Sequence, residues 1–118
     1  MTPTEIAAAF TDLCRRGEFE EAGKQFWSDD VVSCEAMDGP MARVQGRAAV
    51  EAKGAWWYAN HEIHSVKVEG PYVNGNQFVV RFTMDVTPKD GQRLQMDEMG
   101  VYTLENGKIV EERFFYGG

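Results

Sequence analysis

Between Glu62 and Tyr116 the chain consists of four runs rich in Val, Phe, Tyr and Thr, parted by Asn74-Gly75, Asp90-Gly91 and Asn106-Gly107. Asn-Gly and Asp-Gly tolerate the positive φ angles of a two-residue turn, whose twist matches that of the strands on either side. The three dipeptides therefore predict an antiparallel meander with strands near Glu62–Val73, Gln77–Thr87, Gln92–Leu104 and Lys108–Tyr116. Alternation puts Phe78, Val80, Phe82, Met84 and Val86 on a core face and Arg81, Thr83 and Asp85 on the other. In the next strand Leu94, Met96, Tyr102 and Leu104 share one face, and Glu98 and Gly100 fall in the same phase. A carboxyl and a side-chain gap on a face that should be core form the pattern of a pocket.

Helices precede this meander. Thr2-Pro3-Thr4-Glu5 reads as an N-cap, a proline at the first helical position and a capping box. Ile6, Phe10, Leu13 and Cys14 then recur at helical spacing until Gly17, and a second short helix carries Phe19, Ala22, Gly23 and Phe26 on one face until Ser28-Asp29-Asp30. A short strand, Val31 to Met37, contains Glu35 and ends in Asp38-Gly39-Pro40. From Gly46 a third helix runs through Val50, Gly54, Trp57 and His61. This order predicts one α+β domain over residues 1–118: a cone-shaped, curved, mostly antiparallel sheet with three helices packed on its concave face and a ligand cavity between the layers.

Composition narrows the function. The net charge of −7 is spread along the chain, so no basic face is available for nucleic acid or an anionic membrane. No apolar stretch reaches membrane-spanning length, and the first residues lack the pattern of a signal peptide, so the expected location is cytoplasmic. Cys14 and Cys34 stand alone and are expected as free buried thiols. Among catalytic motifs there is no Gly-x-Ser-x-Gly, no phosphate-cradling glycine loop and no Cys-x-x-Cys.

The segments Phe26-Trp27-Ser28-Asp29-Asp30-Val31-Val32, Gln45-Gly46-Arg47-Ala48-Ala49-Val50 and Asn106-Gly107-Lys108-Ile109-Val110, followed by Phe114-Phe115-Tyr116, resemble in order and spacing the SnoaL-like branch of the nuclear-transport-factor-2-like superfamily. The resemblance covers the whole chain and implies the ketosteroid isomerase and polyketide cyclase type of fold. That superfamily holds isomerases, cyclases, dehydratases, hydrolases and inactive proteins, so the resemblance bears on fold more than on reaction. Against the isomerases, Glu35 matches the position of the carboxylate base. The position of their protonated acid falls on Gly100, with Glu98 two residues away on the same face, and no tyrosine precedes Tyr58 to act as their second donor. A steroid isomerase is therefore not expected.

The expected catalytic set is Glu35 as base, with Glu98 and His64 as acid or polarising groups; His64 is taken to share the phase of Val66 and Val68. Trp57, Tyr58, Tyr102, Met96 and Phe82 are expected to line the pocket. His61 and His64 straddle a helix-to-strand junction and lack a third ligand, so neither a metal nor a cofactor is expected. Two functions fit these residues: a cofactor-independent acid-base enzyme (isomerase, cyclase or hydrolase type) on a small apolar or aromatic molecule, or a non-catalytic ligand-binding or protein-association module. A homodimer is expected from the outward meander face, where Met99 and Val101 accompany Thr83 and Thr103.

Overall fold

The computed structural model describes residues 1–117. Helices α1 (Pro3–Arg15) and α2 (Phe19–Phe26) lead into strand β1 (Trp27–Cys34), then β2 (Arg43–Gln45) and α3 (Arg47–Asn60). Strands β3 (His61–Asn74), β4 (Gln77–Pro88), β5 (Leu94–Glu105) and β6 (Lys108–Phe115) follow. The capping box forms as its residues dictate: Glu5 N–H donates to Thr2 Oγ1 at 3.1 Å and Thr2 N–H donates to Glu5 Oε1 at 2.8 Å.

All six strands join one mixed sheet in the order β2-β1-β6-β5-β4-β3, antiparallel except for the parallel pair of β1 and β6. The cone-shaped sheet expected from the sequence is not formed, because the sheet is neither closed nor strongly curled. Closure would require the two edges to pair. One edge, β2, is three residues long and bonds only β1, and the other, β3, bonds only β4. The three helices cover one face of this open sheet.

Only one of the three dipeptides forms its turn as expected: Asn106 and Gly107 take φ of 51° and 78° between paired Glu105 and Lys108. The β3–β4 turn falls one residue later than Asn74-Gly75, because Asn74 pairs with Gln77 and the turn is Gly75-Asn76, with Gly75 at φ 61°. At Asp90-Gly91 the expected tight turn is replaced by a longer connection between Pro88 and Leu94, in which Gly91 has no positive φ. The first strand also begins earlier than expected, at Trp27, directly from the end of α2.

The core lies between helices and sheet. Ile6, Ala7, Phe10, Leu13 and Cys14 of α1, Ala22 and Phe26 of α2, and Val50 of α3 pack on Val31, Phe78, Val80, Phe82, Tyr102, Leu104 and Ile109. Phe10 is central, with ring centroids 4.7 Å from Tyr102 and 5.7 Å from Phe78. The gap at Gly100 is not open space. Tyr102 leans back over it, so that a Cβ there would lie 2.8 Å from the Tyr102 hydroxyl. Both cysteines are buried and unpaired, and burial pushes the Cys14 thiol up to about 12. Among the described residues no helix is long and apolar enough to cross a membrane.

Candidate functional site

The polar groups of the helix-facing side lie in register rows. One row runs Phe78, Tyr102, Glu112 and Ser33 across β4, β5, β6 and β1; the next runs Val80, Gly100 and Phe114. Glu98 stands one row further, opposite Phe82, and Glu35 continues the phase of Val31 and Ser33 just past the end of β1. Lys53 reaches this end of the sheet from α3, on the same helical stripe as Val50 and Trp57.

These residues form a continuous chain of hydrogen bonds and ion pairs. Tyr116 O–H donates to Glu35 Oε1 at 3.0 Å, and Lys53 Nζ lies 2.5 Å from Glu35 Oε2. Lys53 also donates to Ser33 Oγ at 2.7 Å, and Ser33 donates to Glu112 Oε2 at 2.7 Å. Trp27 Nε1–H completes the chain by donating to Glu112 Oε1 at 2.9 Å. Ser33 and Glu112 are adjacent in register on the parallel pair, which is why so short a bond is available. Both are buried, at 0% and 7% exposure, so the bonds replace the water these groups lose. Gly23 makes room for the indole, since a Cβ there would sit 2.6 Å from the Trp27 ring.

Burial raises the Glu112 carboxyl above the ordinary range, opposed by its bonds from Ser33 and Trp27 and by the charge of Lys53. Glu98 is pushed up to about 7, first by burial and then by the charge of Glu35, with Lys53 pulling against both. No hydrogen bond contributes to that value. Glu98 is thus a half-buried acid that changes charge near neutrality, beside Glu35, both of whose oxygens are engaged by Lys53 and Tyr116. Burial also raises the phenols of Tyr58 and Tyr102, and raises that of Tyr116 to about 12 with help from its bond to Glu35.

Of the expected catalytic residues, Glu98 is near enough to Glu35 to feel its charge, and His64 lies apart. His64 is exposed, with Nε2 2.8 Å from Thr87 Oγ1 on the outer face. The cause is a register shift between Ile63 and Ser65, which turns Ile63, Val66 and Val68 toward the helices and His64 away. Phe82 and Tyr102 are core residues at 4% and 2% exposure, and Met96 is half-buried across from Met84. Trp57 is half-buried and stacks on His61 at 4.2 Å. Tyr58 stacks on Phe19 and lines a cleft of about 540 Å³ with Ile63 and Val66, rimmed by Glu18, Glu20 and Glu21. This cleft lies toward β3, and none of Glu35, Lys53 and Glu98 lines it.

Sequence reasoning missed Lys53, Ser33, Trp27 and Glu112. Lys53 was detectable as a charge between Val50 and Trp57 on the stripe of α3 that carries both. Glu112 was hidden by a second register shift, between Thr103 and Leu104 opposite Val110, after which 112 and 114 face the core instead of 111 and 113. Among the described residues no cluster of three or more His, Cys, Asp or Glu side chains is arranged to hold a metal ion.

A sheet covered on one face by three helices, with acids and one lysine buried between the layers, defines the class of helix-covered α+β sheet proteins with an interior polar site. The chain belongs to the SnoaL-like domain family, which matches residues 1–116. It is similar to a protein of Mesorhizobium loti provisionally named a SnoaL-like polyketide cyclase, with carbohydrate phosphatase given beside it. The two are 54% identical, the match covers 98% of this chain and 100% of that one, and the TM-score is 0.97. A provisionally named isomerase of Bacillus subtilis shares the fold at 17% identity, covering 99% of this chain and 90% of that one, with a TM-score of 0.78. So does a Xanthomonas campestris protein of unknown function with a cystatin-like fold, at 18% identity, 100% and 92% coverage and a TM-score of 0.81. No curated protein matches the chain.

Proposed function

We propose that this protein is a cofactor-independent acid-base enzyme, of isomerase, cyclase or hydrolase type, acting on a small apolar or aromatic molecule held between the helices and the sheet. Glu98 is the group that gives and takes the proton, and Glu35, fixed by Lys53 and Tyr116, is the charge beside it. The observation that carries this reading is the Glu98 carboxyl, raised to about 7 inside a largely apolar layer, where both protonation states are populated at neutral pH. The provisional names of the Mesorhizobium loti and Bacillus subtilis proteins, a cyclase and an isomerase, agree with proton-transfer chemistry in this fold. A cytoplasmic homodimer is the form in which we expect it to act.

One observation favours a second reading. Both oxygens of Glu35 are already engaged by protein donors, as suits a structural pair in a binding module. The two are separated by following deuterium incorporation into a panel of apolar aromatic ketones in heavy water by NMR. The enzyme reading expects exchange faster than buffer, an inflection in rate near pH 7 and loss of the effect in Glu98→Ala. Ketones that bind without any accelerated exchange would leave the binding module as the function.

A further inference from the structure

We propose that the Lys53 ammonium is a ligand-binding group for an anionic oxygen, such as that of a phenol or enol, through the one N–H that meets no acceptor among the described residues. The inference rests on the acid-base reading and adds to it the chemical class of the bound molecule.

An ammonium has three donors and no acceptor. One N–H of Lys53 faces Glu35 Oε2 at 2.5 Å and a second faces Ser33 Oγ at 2.7 Å. Ser33 must accept from Lys53 whichever protonation state Glu112 holds, because the lysine cannot accept. For the third N–H no protein acceptor is found among the described residues. Nζ sits 5.5 Å from the centroid of the Phe114 ring, and the side chain is 14% exposed, so its charge is desolvated yet reachable.

The rest of the chain aims that donor. Ser33 is held by Glu112, Glu112 is held by Trp27, and Glu35 is held by Tyr116, so the ammonium is fixed from both sides by groups on β1, β6 and the segment after β6. A donor positioned before the ligand arrives costs little to use. The nearby carboxyls do not forbid an anion. Glu35 is offset by Lys53 itself, Glu112 is separated by Ser33, and Glu98 below its titration point is neutral and offers a hydrogen of its own. A ligand oxygen near Lys53 and Glu98 then meets donors from two residues. When ionised Glu98 takes a carbon-bound proton, the C–H electron pair moves into the enolate and leaves its charge on the oxygen, which the Lys53 N–H stabilises, while Glu98, now neutral, can return its hydrogen.

The probe pair is 4-nitrophenol, whose phenolate is visibly coloured, and its neutral methyl ether, 4-nitroanisole. Both are titrated into wild type, Lys53→Met and Lys53→Arg just below the pH at which Glu98 loses its proton. The expected result is that 4-nitrophenol bound to wild type shows the phenolate spectrum, its proton having passed to solvent. Its affinity should fall about 10–100-fold in Lys53→Met, with partial recovery in Lys53→Arg and little change for 4-nitroanisole in any of the three. A bound nitrophenol that stays neutral in wild type overturns the proposal even if Lys53→Met fails to fold. So does an equal loss of both ligands in a folded Lys53→Met. If 4-nitroanisole binds and the phenol shows no preference, the acid-base reading stands and the role of Lys53 falls. If neither binds wild type, the apolar cavity falls and both go with it.

Discussion

Replacing Glu98 by Gln keeps the shape of the side chain and removes its charge, and the structure fixes how stability must then depend on pH. The carboxyl titrates at 4.5 in the reference state and about 7 in the folded protein. Below about 4.5 it is protonated in both states, and its burial carries no charge penalty. Between about 4.5 and 7 the unfolded chain gives up the proton first, so rising pH favours unfolding until the folded form ionises too. At about 1.4 kcal/mol per pH unit the accumulated penalty is about 3–4 kcal/mol, and partial exposure of Glu98 trims it to about 2–3 kcal/mol. Glutamine does not titrate, so the stability of Glu98→Gln minus that of wild type should climb by that amount across the window and be level outside it. Urea unfolding of both proteins at a series of pH values reads this difference directly, and the other carboxyls largely cancel. A difference that stays flat across the window, or that falls with pH, would show Glu98 to be a solvated acid and remove the basis of the proposed chemistry.

Gly100→Ala tests the packing beside it: its backbone has no positive φ, so the effect is set by the clash of the new Cβ with the Tyr102 hydroxyl and ring, at 2.8–3.0 Å, less the small gain from a stiffer unfolded chain. A loss of about 1–3 kcal/mol in urea unfolding is expected, and unchanged stability would mean that Tyr102 does not occupy the gap. On the outer face Met99, at 43% exposure, pairs in register with Phe115, at 50%, and Val101 continues through Val79 to Tyr72, at 62%. Apolar side chains aligned on four neighbouring strands predict a dimer mass in light scattering at tens of micromolar and a monomer for Met99→Lys; a monomeric wild type refutes it.

Where the sequence was locally periodic it was legible. The capping box of Thr2 and Glu5, the core face from Phe78 to Val86 and the turn at Asn106-Gly107 each follow from neighbouring residues, and each is found where expected. The global bend of the sheet is not a local property. It depends on whether the edge strands meet, and the residues after Pro40, which decide the length of β2, carry no strong pattern. Asp90-Gly91 has the composition of a tight turn, but strand pairing ends at His61 with Pro88 and at Leu94 with Val86, and the connection is longer than the dipeptide alone implies.

The site was half legible for one physical reason. A rule of period two reads a face correctly only until a strand gains a residue, and after a bulge every later side chain changes side. Glu98 lies in β5, which gains no residue along its pairing with β4, and was found by phase alone. The shift between Ile63 and Ser65 sends His64 outward, and the one opposite Val110 brings Glu112 inward. Both shifts are of one residue, and together they exchange an exposed histidine for a buried carboxyl. The buried carboxyl needs partners, and the partners are what the chain supplies: Ser33 in register on β1, Trp27 at the start of that strand and Lys53 beyond them on α3. A buried carboxyl on β6, satisfied twice from β1 and backed through Ser33 by a lysine on α3, exists only once those elements have docked. No stretch of sequence carries it.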